Sequence, residues 1–310
     1  MILGLVVPCY NEQEVLPETI RQLCKVLDAL VAKQKISADS RVYFVDDGSR
    51  DQTWQQIVAG SKHSAFVKGI KLSRNRGHQN ALLAGLFGAA GDALISLDAD
   101  LQDDLGAIER MVDAYHDGNQ VVYGVRNART TDTAFKRMTA QSFYRVMSFL
   151  GTETVYDHAD YRLLSRTAVE SLKQFDEVNM FLRGLVPLLG FKTTTVHYER
   201  RERFAGVSKY PLRKMLTFAI EGITSFSTVP LRMITVLGIS VALGTIAMSV
   251  WTIATKLVND ATIPGWASTV LPTYFLGGVQ LFSIGIIGEY LGKVYLEVKH
   301  RPRFIVEETC

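Results

Sequence analysis

The sequence predicts an α/β domain on a mostly parallel sheet covered on both faces, followed by two helices long and apolar enough to cross a bilayer. Three observations carry that prediction. Short, continuously apolar runs alternate with amphipathic stretches through the first part of the chain. Two later segments hold no charged residue at all. The hydrophobic content of 47% and mean hydropathy of +0.10 are high for a wholly soluble chain of 310 residues, as expected where apolar residues are concentrated locally.

Leu3-Gly4-Leu5-Val6-Val7-Pro8 reads as a buried strand. Leu16 to Leu30 is helical, with Leu16, Ile20, Leu23, Leu27 and Leu30 at three- and four-residue spacing. Val42 to Val45 is a second strand and Gln52 to Ala59 a second helix; Phe66 to Leu72 is a third strand and Asn80 to Ala90 a helix rich in Ala, Leu and Gly. Ala93 to Leu97 and Gln120 to Gly124 complete the strands. Apolar strands alternating with helices belong to parallel sheets buried on both faces. Ligands of such sheets bind beyond the C-terminal strand ends.

The spans come next. Met233 to Thr255 is uncharged and long enough to cross a bilayer, and Ala261 to Gly288 is uncharged again, densest from Leu271 to Ile287. Lys209, Arg213, Lys214 and Arg232 precede the first span; Lys293, Lys299, Arg301 and Arg303 follow the second. The short connection holds little positive charge, so the positive-inside rule puts both termini in the cytoplasm. A pair of buried core helices is the alternative, and the chain offers little else to surround one. Leu212 to Val229 fits either an interfacial helix or a plain core helix. The expected organisation is a catalytic domain over 1–211, a juxtamembrane region over 212–232, two spans within 233–291 (about 233–255 and 268–290) and a cytoplasmic tail over 292–310.

Charge and cysteines exclude other classes. A net charge of +3 is too small to argue for nucleic acid. Cys9, Cys24 and Cys310 form no CxxC pair, so neither a disulfide framework nor a zinc site is indicated. The opening apolar run breaks at Pro8-Cys9-Tyr10-Asn11-Glu12, so no signal peptide is predicted and the first domain is expected to stay in the cytoplasm.

Polar clusters follow four successive strands: Asn11-Glu12, Asp46-Asp47-Gly48-Ser49, Arg74-Asn75-Arg76-Gly77 and Asp98-Ala99-Asp100. Each alone fits a capped loop; together they point to one site. Asp98 and Asp100 are hard oxygen ligands suited to Mg²⁺ or Mn²⁺ beside substrate phosphates, with the Gln102 amide oxygen in reach of the same role. Carboxylates of the Asp46–Asp51 turn can accept hydrogen bonds from a base or ribose, or cap a helix. Arg126, Lys136 and Arg137 form one basic cluster; Arg200, Arg201, Arg203 and Lys209 form another. Guanidinium forks suit a lipid phosphate or a diphosphate, and general attraction to anionic head groups is the alternative.

These motifs, with Asp160-Tyr161-Arg162-Leu163, Gly206-Val207-Ser208-Lys209-Tyr210 and the tail run Gly288-Glu289-Tyr290-Leu291-Gly292-Lys293, resemble family 2 glycosyltransferases. Within them the chain resembles the polyprenyl-phosphate sugar transferases, a group that includes dolichol-phosphate mannose synthase and the bactoprenol glucosyltransferases of O-antigen modification. The resemblance implies a Rossmann-like, nucleotide-sugar-binding domain of the GT-A type. It implies that Pro8, Tyr10, Glu12 and Asp47 hold the nucleoside; that Asp98, Asp100 and Gln102 hold the metal and donor diphosphate; and that Asp160 is the catalytic carboxylate beside Asp100. Arg126, Arg137, Arg203 and Lys209 would bind phosphates. The implied partners are a nucleotide-sugar donor, a polyprenyl phosphate, the membrane and a second copy of the chain. One departure is Asp103-Asp104-Leu105, where dolichol-type relatives often carry prolines. Processive synthases carry Gln-x-x-Arg-Trp; Trp54, Trp251 and Trp266 follow no arginine, which favours a single transfer. The expected reaction is inverting transfer of glucose from UDP-glucose to undecaprenyl phosphate, with UDP-N-acetylhexosamine or GDP-mannose as other donors. A nucleotidyltransferase and a non-enzymatic partner of a lipid-sugar flippase are the rival readings.

Overall fold

A computed structural model describes residues 1–126, 158–177, 182–199, 229–259 and 265–310. They fall into two units. The first carries one eight-stranded sheet: β1 (Leu3–Cys9), β2 (Arg41–Asp46), β3 (Val67–Leu72), β4 (Ala93–Ser96), β5 (Val121–Arg126), β6 (His158–Ser165), β7 (Thr193–Tyr198) and β8 (Val306–Thr309), in the order β7-β5-β6-β4-β1-β2-β3-β8. Its helices are α1 (Leu16–Ala32), α2 (Thr53–His63), α3 (His78–Gly88), α4 (Gly106–His116), α5 (Arg166–Leu172) and α6 (Leu182–Leu188). The second unit carries α7 (Val229–Asn259) and α8 (Trp266–Val298).

The parallel core is β4-β1-β2-β3. Every residue of β1 is buried, as a central strand covered on both faces requires. Helix α1 turns Leu16, Leu23, Leu27 and Leu30 inward, in line with their spacing. Helix α3 packs tightly on the sheet at Gly85, where a built Cβ would lie 2.3 Å from Val6 Cγ1, so only a hydrogen fits. That contact accounts for the small residues of this helix.

The sheet is more mixed than the sequence reading. Strand β6 runs antiparallel between β4 and β5, pairing Ser96 with Arg162 and Val122 with Leu163. Strand β7 then pairs parallel with β5, placing Arg126 opposite Tyr198.

The stretch 292–310 contains two kinds of structure. Helix α8 continues to Val298, and Val306–Thr309 joins the sheet unit, antiparallel to β3. Gly69 N–H donates to the Cys310 carbonyl at 2.9 Å, and Cys310 N–H donates back to Gly69 at 3.0 Å. Ser73 N–H donates to the Ile305 carbonyl at 3.0 Å, and Trp54 Nε1–H to Glu308 Oε2 at 3.2 Å. A short edge strand bearing Glu307 and Glu308 discourages further pairing. Deleting residues 304–310 is expected to cost about 2–4 kcal/mol, several ladder bonds and their packing. Thermal unfolding would measure that loss, and hydrogen exchange at Gly69 and Ser73 would locate it; unchanged protection there would contradict it.

Helices α7 and α8 are each long and apolar enough to cross a membrane, with windows Val229–Met248 and Phe275–Val298 at mean hydropathy 1.8 and 1.3. They start and stop a few residues outside the predicted spans. Their large apolar side chains, among them Val236, Trp251, Leu281 and Phe282, are exposed.

Candidate active site

The site lies where the strand ends of the parallel core release their loops. Gly48 has φ +66°, and a Cβ there would stand 2.6 Å from the backbone nitrogen of Asn75. Glycine therefore lets the turn after β2 lie against the loop after β3. Asp47 joins the two: Oδ1 accepts from Arg76 N–H at 2.6 Å and Oδ2 from Gly77 N–H at 2.9 Å. Burial raises the Asp47 carboxyl, and those two N–H groups oppose the rise. Asn11 ties in the loop after β1: its N–H donates to Ser49 Oγ, and its Oδ1 accepts from Arg50 N–H, both at 2.9 Å. Gly48→Ala is expected to destabilise the fold by about 2–3 kcal/mol, through positive φ and a backbone clash together. Chemical denaturation would read it, and a loss below about 0.5 kcal/mol would contradict the close approach.

The other nucleoside candidates surround these loops. Pro8 is buried opposite Val45, whereas Tyr10 is 42% exposed. The Glu12 carbonyl receives the N–H groups of Val15 and Leu16 ahead of α1, and Glu12 N–H donates to Thr53 Oγ1 at 2.9 Å.

The loop after β4 carries the acidic pair. Leu101 sits at φ +56°, and Asp100 Oδ1 accepts from Gln102 N–H at 3.2 Å, closing that turn. Gln102 is buried and the Asp98 side chain is 40% exposed. Burial above all, and then the charges of Asp103, Asp160 and Asp100, push the Asp98 carboxyl up to about 6 against the opposing effect of His78. A divalent cation would relieve this crowding of negative charge. Among the described residues no three His, Cys, Asp or Glu side chains form a metal cage. A carboxylate pair that leaves places for substrate oxygens fits Mg²⁺ or Mn²⁺ better than a closed cage would.

Asp160 reaches this loop because β6 pairs with β4; Ser96 Oγ donates to its backbone carbonyl at 2.5 Å. Its carboxylate is gripped by two arginines. Arg162, 1% exposed, donates to Oδ1, while Arg183 donates Nε–H to Oδ1 at 3.3 Å and Nη2–H to Oδ2 at 3.1 Å. Burial alone would raise this carboxyl; Arg183 and Arg162 outweigh it and hold it well below the usual carboxylate range. His78, the first residue of α3, bridges the clusters: Nε2 lies 3.6 Å from Asp98 Oδ1 and 3.9 Å from Asp160 Oδ2.

Arg126 stands at the end of β5. Its Nε–H donates to Tyr198 Oη at 3.2 Å, and Tyr198 donates on to Asp103 Oδ1 at 2.7 Å. The structure thus brings Asp98, Asp100, Gln102 and Asp160 into one neighbourhood, with Arg126 tied to it through Asp103. Arg137, Arg203 and Lys209, and most of the predicted juxtamembrane helix, lie outside the described residues. Sequence reading gave no role to His78, Asp103, Arg162, Arg183 or Tyr198. Arg162 carried a signal, a charge flanked by apolar residues in a β-prone run; Arg183 carried none.

The profile "Glycosyl transferase family 2" matches residues 5–173, more than half of the chain and all of the loops described up to Asp160. The chain belongs to glycosyltransferase family 2. As a family 2 member it is a glycosyltransferase, and its sheet is the Rossmann-like sheet of the GT-A type. It is 49% identical over 308 residues to the uncharacterized glycosyltransferase YkoT of Bacillus subtilis (strain 168), covering 99% of this chain and 91% of that protein. It is 38% identical over 313 residues to the SfII prophage-derived bactoprenol glucosyl transferase of Shigella flexneri, covering 100% and 98%. A solved structure of glucosyl-3-phosphoglycerate synthase from Mycobacterium tuberculosis, in complex with Mn²⁺, UDP and phosphoglyceric acid, aligns over 72% of this chain and 76% of its own. Its TM-score is 0.46 at 15% identity.

Proposed function

We propose that this family 2 glycosyltransferase transfers one glucose from UDP-glucose, with inversion, to undecaprenyl phosphate at the cytoplasmic face of the membrane. The observation that carries the reading is the 38% identity to proteins named bactoprenol glucosyl transferase, which runs through the sheet unit and both apolar helices. Helices α7 and α8 would cross the bilayer as a hairpin. The positive charge flanking the two helices and the near absence of it between them support a topology with both termini in the cytoplasm. Tethering at the surface raises the encounter rate with a lipid acceptor.

In this reading Pro8, Tyr10, Glu12 and the loops joined by Asp47 bind the nucleoside. Asp98, Asp100 and the Gln102 amide oxygen would hold Mg²⁺ or Mn²⁺, which when bound offsets charge on the leaving diphosphate. An oxygen of the acceptor phosphate attacks the anomeric carbon from the face opposite that diphosphate. The new C–O bond forms as the bond to UDP breaks, and the electron pair leaves with UDP. The nucleophile is already ionised near neutral pH, so no strong base is needed. Asp160, held anionic by two arginines, is a poor proton acceptor and a good positioning group. Arg126, with Arg137, Arg203 and Lys209, binds phosphate. The product, a polyprenyl-phosphate sugar, suits a later transfer onto O-antigen or another envelope glycan.

The test is transfer of radiolabel into the lipid phase of membranes supplied with undecaprenyl phosphate and either metal. UDP-glucose, UDP-N-acetylglucosamine and GDP-mannose are offered in turn, beside an Asp100→Ala control. Lipid label from UDP-glucose that the control loses is the expected result. Label from another donor would replace the sugar, and no lipid label from any donor would overturn the reading.

A further inference from the structure

Arg126, Tyr198 and Asp103 come from three separate parts of the chain: the end of β5, the end of β7 and the loop after β4. Parallel pairing of β5 with β7 sets Arg126 and Tyr198 as register partners. The hydrogen bonds then run one way. The guanidinium gives its Nε–H to the phenol oxygen, and the phenol gives its proton to the carboxylate. Tyr198 is 1% exposed and Asp103 5%, so this chain is shielded from water. Burial, followed by the charge of Asp103, holds the Tyr198 phenol far above its ordinary value, which keeps it a donor. The Tyr198 ring is fixed as well: it meets the Tyr161 ring edge-on at 5.2 Å and 83°, and Tyr161 Oη–H donates to the Asp104 carbonyl at 3.0 Å. Two tyrosines, from the strands on either side of β5, therefore hold the loop that carries Asp98 and Asp100.

The arrangement leaves the other edge of Arg126 unspent. Among the described residues neither Nη of Arg126 donates a hydrogen bond; Nη2 stands 3.8 Å from Asp103 Oδ1, an ion pair beyond hydrogen-bonding length. The side chain as a whole is 22% exposed. A guanidinium anchored at Nε with its two Nη groups available presents a flat pair of donors, a geometry that matches two phosphate oxygens.

We propose that Tyr198 and Asp103 are positioning residues that lock Arg126 at Nε and aim its Nη edge at a phosphate group of the substrate. The proposal deepens the function proposed above and takes from it only the identity of the phosphate, which is either the donor diphosphate or the acceptor monophosphate. The relay ties the arginine to the loop of the acidic pair, so that a shift in one displaces the other.

Tyr198→Phe removes one oxygen and keeps the ring against Tyr161. Binding of UDP is measured by calorimetry in the presence of Mn²⁺, and KM for undecaprenyl phosphate is measured by transfer. The expected result is a loss of about tenfold in one of the two, the size of one misaligned charge-assisted contact. Weakened UDP binding with an unchanged acceptor KM assigns Arg126 to the donor; a raised acceptor KM with unchanged UDP binding assigns it to the acceptor. Arg126→Ala should show the same loss, and adding Tyr198→Phe to it should cost nothing more. Asp103→Asn, which keeps an acceptor oxygen for the phenol, should retain more affinity than Asp103→Ala and stands in if Tyr198→Phe does not fold. A loss of kcat or melting temperature with both affinities unchanged, or additive losses in the double variant, would mean a structural role only and overturn the proposal. A wild-type protein that binds UDP but transfers no sugar overturns the proposed function, while the calorimetric comparison still reads the relay.

Discussion

Asp98→Asn is expected to reduce transfer by about 10²–10³-fold and, without metal, to make the protein slightly more stable at pH 7.5. The two effects share one cause. The Asp98 carboxyl sits at about 6 in the folded protein, above its value of about 3.9 in an unfolded chain. Between those values the folded state binds more protons than the unfolded one, so stability falls as pH rises from about 4 to 6 and stays reduced above 6. Replacing the carboxylate removes that penalty. Because the side chain is 40% exposed, solvent screens the repulsion, and the gain is well below the full shift: about 0.5 kcal/mol, or 1–2 °C in melting temperature. Mn²⁺ should raise the melting temperature of the wild type and leave the variant nearly unmoved. Melting curves at pH 5 and 7.5, with and without Mn²⁺, check both parts. An equal response of the two proteins to Mn²⁺ would remove Asp98 from the metal site.

Asp160→Ala is expected to be the more damaging change, costing about 3–5 kcal/mol as well as activity. It strips the shared carboxylate from Arg162 and Arg183, and Arg162 is almost wholly buried. A buried guanidinium without its counter-charge is the cause of the loss, so Asp160→Ala combined with Arg162→Met should recover part of the stability. Activity should not return with it. The pH dependence runs opposite to that of Asp98. Asp160 has a depressed folded value, so its stabilisation is complete above about 4 and is lost only as pH falls through that lower value. Acid unfolding of the wild type should therefore contain a proton-linked component that the variant lacks. Asp160→Asn is the milder probe. Near-full turnover in that variant would rule out both a proton-accepting and a positioning role.

Parts of this protein were legible one residue at a time. The periodicity of Leu16, Leu23, Leu27 and Leu30 marks a helix face, and the apolar run from Leu3 to Pro8 marks a strand buried on both sides. Both long apolar helices announced themselves through absent charge, as any helix apolar enough to cross a bilayer does. The four polar clusters could be expected at one edge of the sheet, because loops at the carboxyl ends of parallel strands share an edge. Other parts depended on pairing between distant segments, which no local pattern encodes. Nothing in Val306-Glu307-Glu308-Thr309 reveals that it would return to β3, since short charged edge strands have no burial pattern to detect. The antiparallel insertion of β6 was equally silent, yet it carries Asp160 to the acidic pair.

The sequence by itself determined the α/β class, the two apolar helices, the family and the acidic pair, since each rests on local composition or on residues close together in the chain. Only the tertiary structure decided what the charges do. Asp47 joins two loops through backbone N–H groups, Asp160 is an arginine-held anion, and Arg126 is tethered through Tyr198 to Asp103. The physical reason is that the state of a charged side chain depends on burial and on the groups within a few ångströms of it. For these residues the deciding partners are separated by up to 95 positions in the chain.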